Sequence, residues 1–203
     1  MPDTTTDDLA GYVGARICHD VINPLGAIGN GLELLMLTLG TQSPELDLLE
    51  ASVKNAQARV KFLRIAFGAA VDPAPVGAAE SRAVLAAYCD GMRHKVAWQI
   101  DEDLPRSEQR RAFLMLLCVF SALPLGGEIL IDSDGAALTV SAKAPRISAS
   151  AEAWDPLLEG QFPPETSAAT VHFALLALEI GRENATGRRA HLDTTASSLR
   201  FTL

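Results

Sequence analysis

Apolar residues recur every three or four positions over residues 1–71, which predicts two long helices. The first helix carries the alternating steps of four and three that are typical of a helical-bundle seam at Val21, Leu25, Ile28, Leu32, Leu35 and Leu39. The second carries the same spacing at Leu46, Leu49, Val53, Ala56, Val60, Leu63 and Phe67. Two such helices with a short connection form an antiparallel hairpin. A lone hairpin leaves a seam uncovered, so we expect two copies to pair into a four-helix bundle, unless the hairpin packs on the rest of its own chain.

Local signals set the expected ends of these helices. The first helix should begin near Thr6 and run to about Leu39, with a kink at Pro24, whose ring removes one amide and crowds the preceding turn. Gly40 should end it, because glycine often follows a helix C-terminus. Ser43 is a typical N-cap for the second helix, and the proline that follows suits a first turn.

The remaining chain has a different pattern of apolar and turn-forming residues, which predicts an α+β protein of two domains. We expect a helical hairpin over residues 1–71, a linker over 72–78 that is rich in proline and glycine, and a second domain over 79–203. In the second domain the pattern predicts a helix, a strand, a long apolar helix, a hairpin of two strands, a polar loop, a further helix and two short strands. In chain order these are 80–93, 95–101, 107–123, 128–131 with 137–141, a loop, 167–184, 189–193 and 198–203.

Charge and composition narrow the range of partners. Seventeen basic residues against twenty-five acidic ones give a net charge of −8, and the basic residues are scattered, so nucleic acid is not an expected partner. Three cysteines without close spacing indicate reduced thiols. Residues 1–8 are polar and acidic, unlike a signal peptide, and the longest apolar run, 112–125, is shorter than the ~20 residues that a membrane span needs. We therefore expect a soluble, cytoplasmic protein.

One histidine lies in a distinctive setting on the first helix. At roughly 100° per residue, Arg16, His19 and Asn23 share the flank that faces water, whereas Cys18 lies on the apolar seam as a packing residue. Asp20 follows the histidine directly. An exposed helical histidine beside a carboxylate is accessible to another protein.

The order His-Asp-x-x-Asn-Pro-Leu-x-Ala-Ile, which begins at His19, resembles the phosphoacceptor box of two-component histidine kinases. With Cys18 before it and Gly-Leu-Glu-Leu-Leu after it, from Gly31 on, the segment is more similar to the ChpT-type histidine phosphotransferases of alphaproteobacteria. The resemblance implies a homodimer that takes a phosphoryl group from the receiver domain of a hybrid histidine kinase. It also implies that the group passes to response regulators, CtrA-like ones among them.

The resemblance assigns roles to four residues. His19 would be the nucleophile, because a neutral imidazole nitrogen is nucleophilic near neutral pH. Asp20 would orient the ring or handle its proton, unless it is a plain acidic surface residue. Asn23 would bind a phosphoryl oxygen or a water. Arg16 would neutralise phosphoryl charge, with an ordinary salt bridge between helices as its equal alternative.

The second domain resembles the ATP-binding domain of histidine kinases without its nucleotide-binding residues. Leu117 and Ser121 stand where the kinases carry asparagines, Ala142 stands at the aspartate that reads adenine, and residues 170–173 contain no glycine. We therefore expect no nucleotide, no autokinase activity and no cofactor, with Mg²⁺ needed only on the partner receiver.

Other site types find little support in the sequence. The remaining histidines, His94, His172 and His191, do not have the spacing of a zinc site. The main alternative to the phosphotransferase is a non-catalytic dimeric protein that sequesters or inhibits a kinase or a response regulator.

Overall fold

The computed structural model of the protein describes residues 6–39, 43–69 and 74–203, which form six helices and one mixed five-stranded sheet. The fold class is therefore α+β, as predicted. The helices are α1 (Thr6–Leu39), α2 (Pro44–Phe67), α3 (Ala78–Cys89), α4 (Arg106–Ala122), α5 (Ala151–Leu158) and α6 (Val171–Ala185). The strands are β1 (His94–Trp98), β2 (Gly127–Ser133), β3 (Leu138–Lys143), β4 (His191–Thr194) and β5 (Ser198–Thr202).

Helices α1 and α2 form the predicted antiparallel hairpin. The start of α1 lies against the end of α2, since a Cβ at Gly14 would lie 2.9 Å from the Phe67 carbonyl oxygen. Ser43 caps α2 as expected: its Oγ accepts a hydrogen bond from the Leu46 amide at 3.3 Å. Helix α1 continues through Pro24. The predicted helix end at Gly40 lies outside the described residues.

The predicted seam of α1 divides into two lines. Leu25 and Leu32 are half-buried, whereas Val21, Ile28 and Leu35 are 40%, 52% and 43% exposed. In a four-helix bundle the seam of each helix points at the bundle centre. The half-buried line contacts the other helix of the same chain, and the exposed line would be covered only by helices of a second chain. In the single chain one line of the seam is thus half-buried and the other exposed, and the burial of the exposed line in a dimer stays a prediction.

The second half of α2 packs on the rest of the chain. Phe62 and Ala66 are fully buried, and the Phe62 ring stacks on Tyr88 of α3 and Phe113 of α4 at centroid distances of 3.8 and 4.8 Å. The alternative of packing on the same chain thus holds for part of α2. It coexists with the exposed line on α1.

The sheet has the order β1-β2-β3-β5-β4, with β1 and β2 parallel and the other neighbours antiparallel. Helix α4 connects the parallel pair, as a crossover must. Five consecutive residues of α4, Ala112 to Leu116, are fully buried at the centre of the core. The end of the predicted linker is also fixed, because Val76 is buried and exchanges two backbone hydrogen bonds with Leu104.

One helix was missed. Residues 151–158, predicted as part of a loop, form α5 despite Pro156 within it. The cause is burial: Trp154 is 2% exposed and meets Phe173 and Phe201 edge to face. Packing on the core has overridden a composition typical of loops. The other elements lie close to their predicted positions, with ends shifted by a few residues.

Helix α1 also meets a simple test for a membrane span that the sequence pattern did not suggest. Its segment Arg16–Thr38 has a mean hydropathy of 1.2, and none of that window is buried inside the chain. Length and composition alone are weak evidence, because the core helix of a soluble protein and a signal sequence share these properties.

Candidate functional site

His19 lies on the solvent side of α1, and its side chain is 66% exposed. Close packing holds α1 on both sides of it. On one side Gly14 permits contact with Phe67. On the other side the Gln57 amide donates a hydrogen bond to the Leu25 carbonyl at 3.2 Å. The histidine is therefore displayed on a helix that is fixed against its neighbour.

Asp20 connects His19 to Arg16. Its Oδ1 lies 3.1 Å from His19 Nδ1, and its Oδ2 accepts a hydrogen bond from Arg16 Nε at 2.8 Å. All three side chains are at least half exposed. The hydrogen bonds from His19 and then Arg16, together with the charge of Arg16, hold the pKa of the Asp20 carboxyl below its usual range.

This arrangement selects one tautomer of the neutral His19 ring. An ionised carboxylate can only accept hydrogen bonds, so Nδ1 carries the hydrogen that faces Asp20. Nε2 then keeps its lone pair and has no hydrogen-bond partner among the described residues. The site therefore presents a nucleophilic nitrogen to an incoming protein.

Asn23 lies one turn after His19 and is exposed, as predicted. Within the described part of the chain its side chain has no hydrogen-bond partner, so it is available to a bound group. Pro24, which follows it, has no amide hydrogen, so the Asp20 carbonyl lacks the helical hydrogen bond that it would otherwise accept.

Cys18 is a packing residue, as expected. Its side chain is half-buried, and burial raises the pKa of the thiol, which the charge of Arg64 lowers only in part. A thiol with a raised pKa is a weak nucleophile at neutral pH. Cys89 and Cys118 are more buried still, and burial raises the pKa of Cys89 to about 11.

The other histidines occupy unrelated places. His94 bonds the Leu123 carbonyl through Nε2 at 3.1 Å, and His191 bonds Asp193 through Nε2 at 3.1 Å. His172 lies 3.1 Å from the Ser121 hydroxyl. No group of three potential metal ligands occurs among the residues that the structure describes.

Two of the positions that the resemblance aligns with a nucleotide pocket, on α4 and α6, lie next to each other. Ser121 on α4 meets His172, the third residue of the segment without glycine. Ala142 and Ala144 are buried within and directly after β3. Burial lowers the pKa of His172 to about 4, so its ring is neutral at pH 7.

Two features with structural or functional weight were not predicted from the sequence. The first is the Arg16–Asp20 bond, whose signal was the spacing of four residues on one helix flank. The second is a buried ion network that joins α4 to α6: Arg110 pairs with Glu179, and Arg111 pairs with Glu183 at 2.7 Å. Consecutive charges before an apolar run gave no hint of it, because its partners lie on α6, distant in sequence.

Comparison with known proteins agrees with this picture. Residues 78–194 match the family described as the histidine phosphotransferase C-terminal domain. The protein phosphotransferase ChpT of Brucella abortus (strain 2308) is 35% identical over 130 residues, which cover 63% of this chain and 62% of that protein. The solved structure of a bacterial phosphotransferase is similar with a TM-score of 0.66 and 27% identity, and the alignment covers 98% of this chain and 96% of that one.

Proposed function

The chain belongs to the histidine phosphotransferase family, and from that premise we propose that it relays a phosphoryl group through His19. The donor is the phosphorylated receiver aspartate of a hybrid histidine kinase, and the acceptors are the receivers of response regulators, including CtrA-like ones. The observation that carries the proposal is the exposed His19–Asp20 pair, whose geometry leaves Nε2 free.

The transfer needs one bond exchange in each direction. The Nε2 lone pair attacks the phosphorus of the aspartyl phosphate, the N–P bond forms, and the P–O bond breaks with its electron pair leaving on the receiver carboxylate. The ring then carries a hydrogen on Nδ1 and the phosphoryl group on Nε2, and its positive charge faces Asp20. In the onward step the N–P bond breaks, and its electron pair returns to Nε2.

Two neighbours assist this exchange. Asp20 orients the ring and stabilises its charge while the phosphoryl group is attached. Asn23, exposed one turn away, can donate its side-chain amide to a phosphoryl oxygen or to a water. The Mg²⁺ that such a transfer requires belongs to the receiver.

The working form in this proposal is a homodimer held together by α1 and α2. The support is the line Val21, Ile28 and Leu35, which repeats every seven residues and stays exposed in the single chain. Ile17 continues the line four residues earlier and is 59% exposed. Covering this line by a second copy accounts for the apolar character of α1, whose segment Arg16–Thr38 is not buried inside the single chain.

The proposed phosphotransferase does not use ATP. Leu117 offers no oxygen to Mg²⁺, and the Ser121 hydroxyl is already engaged with His172. The adenine-reading carboxylate has no counterpart, because Ala142 is a buried alanine within β3.

The test is phosphoryl transfer from a labelled receiver to the purified protein. The wild type and His191→Gln should accept the label, and His19→Gln should not, while labelled ATP alone should label none of them. The adduct should be labile in acid and stable in alkali, because protonation turns imidazole into a good leaving group. Labelling of His19→Gln would refute the proposal.

The same variant separates the relay from a non-catalytic binding protein. Since the His19 side chain is 66% exposed, His19→Gln should fold and dimerise normally. A sequestering protein would inhibit its target equally well with this substitution. A relay with this substitution would no longer transfer phosphoryl groups to its target.

A further inference from the structure

We infer that Arg16 is a positioning residue: by binding one oxygen of Asp20, it holds the other oxygen against His19 Nδ1 and so keeps Nε2 as the reactive nitrogen. The inference rests on the proposed relay and adds a residue that acts through Asp20. It replaces the expectation that Arg16 serves the phosphoryl group directly.

Helix geometry explains why a third residue is needed. His19 and Asp20 are adjacent, and adjacent side chains on a helix point about 100° apart, so the helix alone does not bring them together. Arg16 and Asp20 are four residues apart and therefore lie on one flank. The Arg16 bond fixes the carboxylate orientation in which Oδ1 turns toward the ring.

The two carboxylate oxygens of Asp20 have different partners, which supports a positioning role for Arg16. Oδ2 accepts from Arg16 Nε at 2.8 Å, and Oδ1 remains for His19 at 3.1 Å. Without Arg16, the exposed carboxylate is free to rotate and to hydrate, and the neutral ring can also place its hydrogen on Nε2. A ring in that second tautomer has no lone pair on the nitrogen that faces solvent.

A histidine–carboxylate pair on β4 provides a comparison for which ring nitrogen faces the carboxylate. His191 and Asp193 lie two residues apart on β4, so the strand itself puts them on one face. There the carboxylate lies against Nε2 of the ring. The nitrogen that does not face the carboxylate is therefore Nδ1, which is nearer the backbone. A nearby carboxylate therefore does not by itself expose Nε2.

The experiment measures tautomer and transfer in the same variants. Arg16→Gln should lower the fraction of the Nδ1–H tautomer of His19, read from ¹⁵N chemical shifts, and should reduce the maximal rate of label transfer roughly two- to fivefold, as expected for an exposed ion pair. The receiver concentration at half-maximal rate should not change. Arg16→Lys retains a cation four residues from Asp20. It should restore much of the Nδ1–H tautomer fraction and much of the maximal transfer rate.

Two further variants complete the design. Lys54→Gln removes another exposed ion pair between residues four apart, that of Glu50 and Lys54, and should change neither signal. In an Asp20→Asn background, Arg16→Gln should have almost no additional effect, because both residues act through the same carboxylate.

Each contrary result has a distinct meaning. An unchanged tautomer fraction in Arg16→Gln would overturn the positioning role, and so would a full additional loss of rate in the Asp20→Asn background. A raised half-maximal receiver concentration with an unchanged tautomer would assign Arg16 to receiver binding instead. If His19→Gln still accepts label, the relay itself fails, whatever Arg16 does.

Discussion

The helical hairpin and the segment from residue 74 onward place their apolar side chains in opposite ways. Among the described residues, nine of the eleven large hydrophobic side chains that are exposed lie on α1 or α2. The buried hydrophobic side chains lie almost entirely beyond residue 74, and Phe62 and Ala66 are the two that the described part of the hairpin contributes. The C-terminal part buries its apolar side chains in a core, whereas the hairpin leaves a large apolar surface exposed in the single chain.

Charged side chains show the same contrast. In the hairpin, Arg16, Asp20 and His19 form an exposed group that an incoming protein can reach. In the C-terminal part, Arg110 and Glu179 are 5% and 7% exposed and hold α4 to α6. An exposed pair adds little stability, while a broken buried pair costs several kcal/mol. The proposed site therefore lies where stability depends least on the charged groups.

The largest expected effect comes from the one place where the two parts share a core. Phe62→Ala removes a fully buried ring between Tyr88 and Phe113 and should lower the free energy of unfolding by about 3–5 kcal/mol. Urea denaturation measures it, with Leu125→Ala, at a site 51% exposed, as the control that should change by less than about 0.5 kcal/mol. A loss below about 1 kcal/mol for Phe62→Ala would mean that α2 does not belong to this core.

The next effect tests whether the exposed line on α1 is an interface. Ile28→Glu should weaken the dimer at least about 100-fold, roughly 3 kcal/mol, because a carboxylate would be buried without a partner. Sedimentation at micromolar concentration should show a folded monomer. The matched control is Leu125→Glu, since Leu125 is 51% exposed and Ile28 is 52% exposed, and this variant should remain dimeric. A wild-type protein that sediments as a monomer would remove the dimer from the proposal.

The smallest effect concerns a buried titratable group of the C-terminal part. Burial lowers the pKa of His172 to about 4, while the unfolded side chain takes up its proton near pH 6.5. Between these values the unfolded state binds more protons, so stability is lost as the pH falls from 6.5 toward 4. By pH 5 the wild type should lose about 2 kcal/mol more than His172→Gln, relative to pH 7. His191→Gln, which changes an exposed histidine, should keep the wild-type loss; equal losses in all three proteins would exclude His172 as the cause.

Sequence patterns predicted most of the architecture, because most elements carry local signals. The spacing of apolar residues predicted that α1 and α2 are helices, and capping chemistry predicted the start of α2 at Ser43. Helix α5 could not be predicted, since its stability comes from Trp154 packing on residues far away in the chain. The sequence also placed His19 in water and Cys18 at the seam, as the structure has them.

The sequence by itself determined which residues are the candidates for the chemistry and where along the chain they lie. Its pattern of apolar residues predicted a hairpin, and its His-Asp box singled out His19 as the proposed phosphoacceptor without reference to the fold. Only the tertiary structure decided which ring nitrogen faces Asp20, that Arg16 bonds the same carboxylate, and that Val21 and Ile28 remain exposed while Leu25 does not. The reason is physical: periodicity gives the direction of a side chain around its helix, but hydrogen-bond partners and burial depend on what the rest of the fold brings to that side.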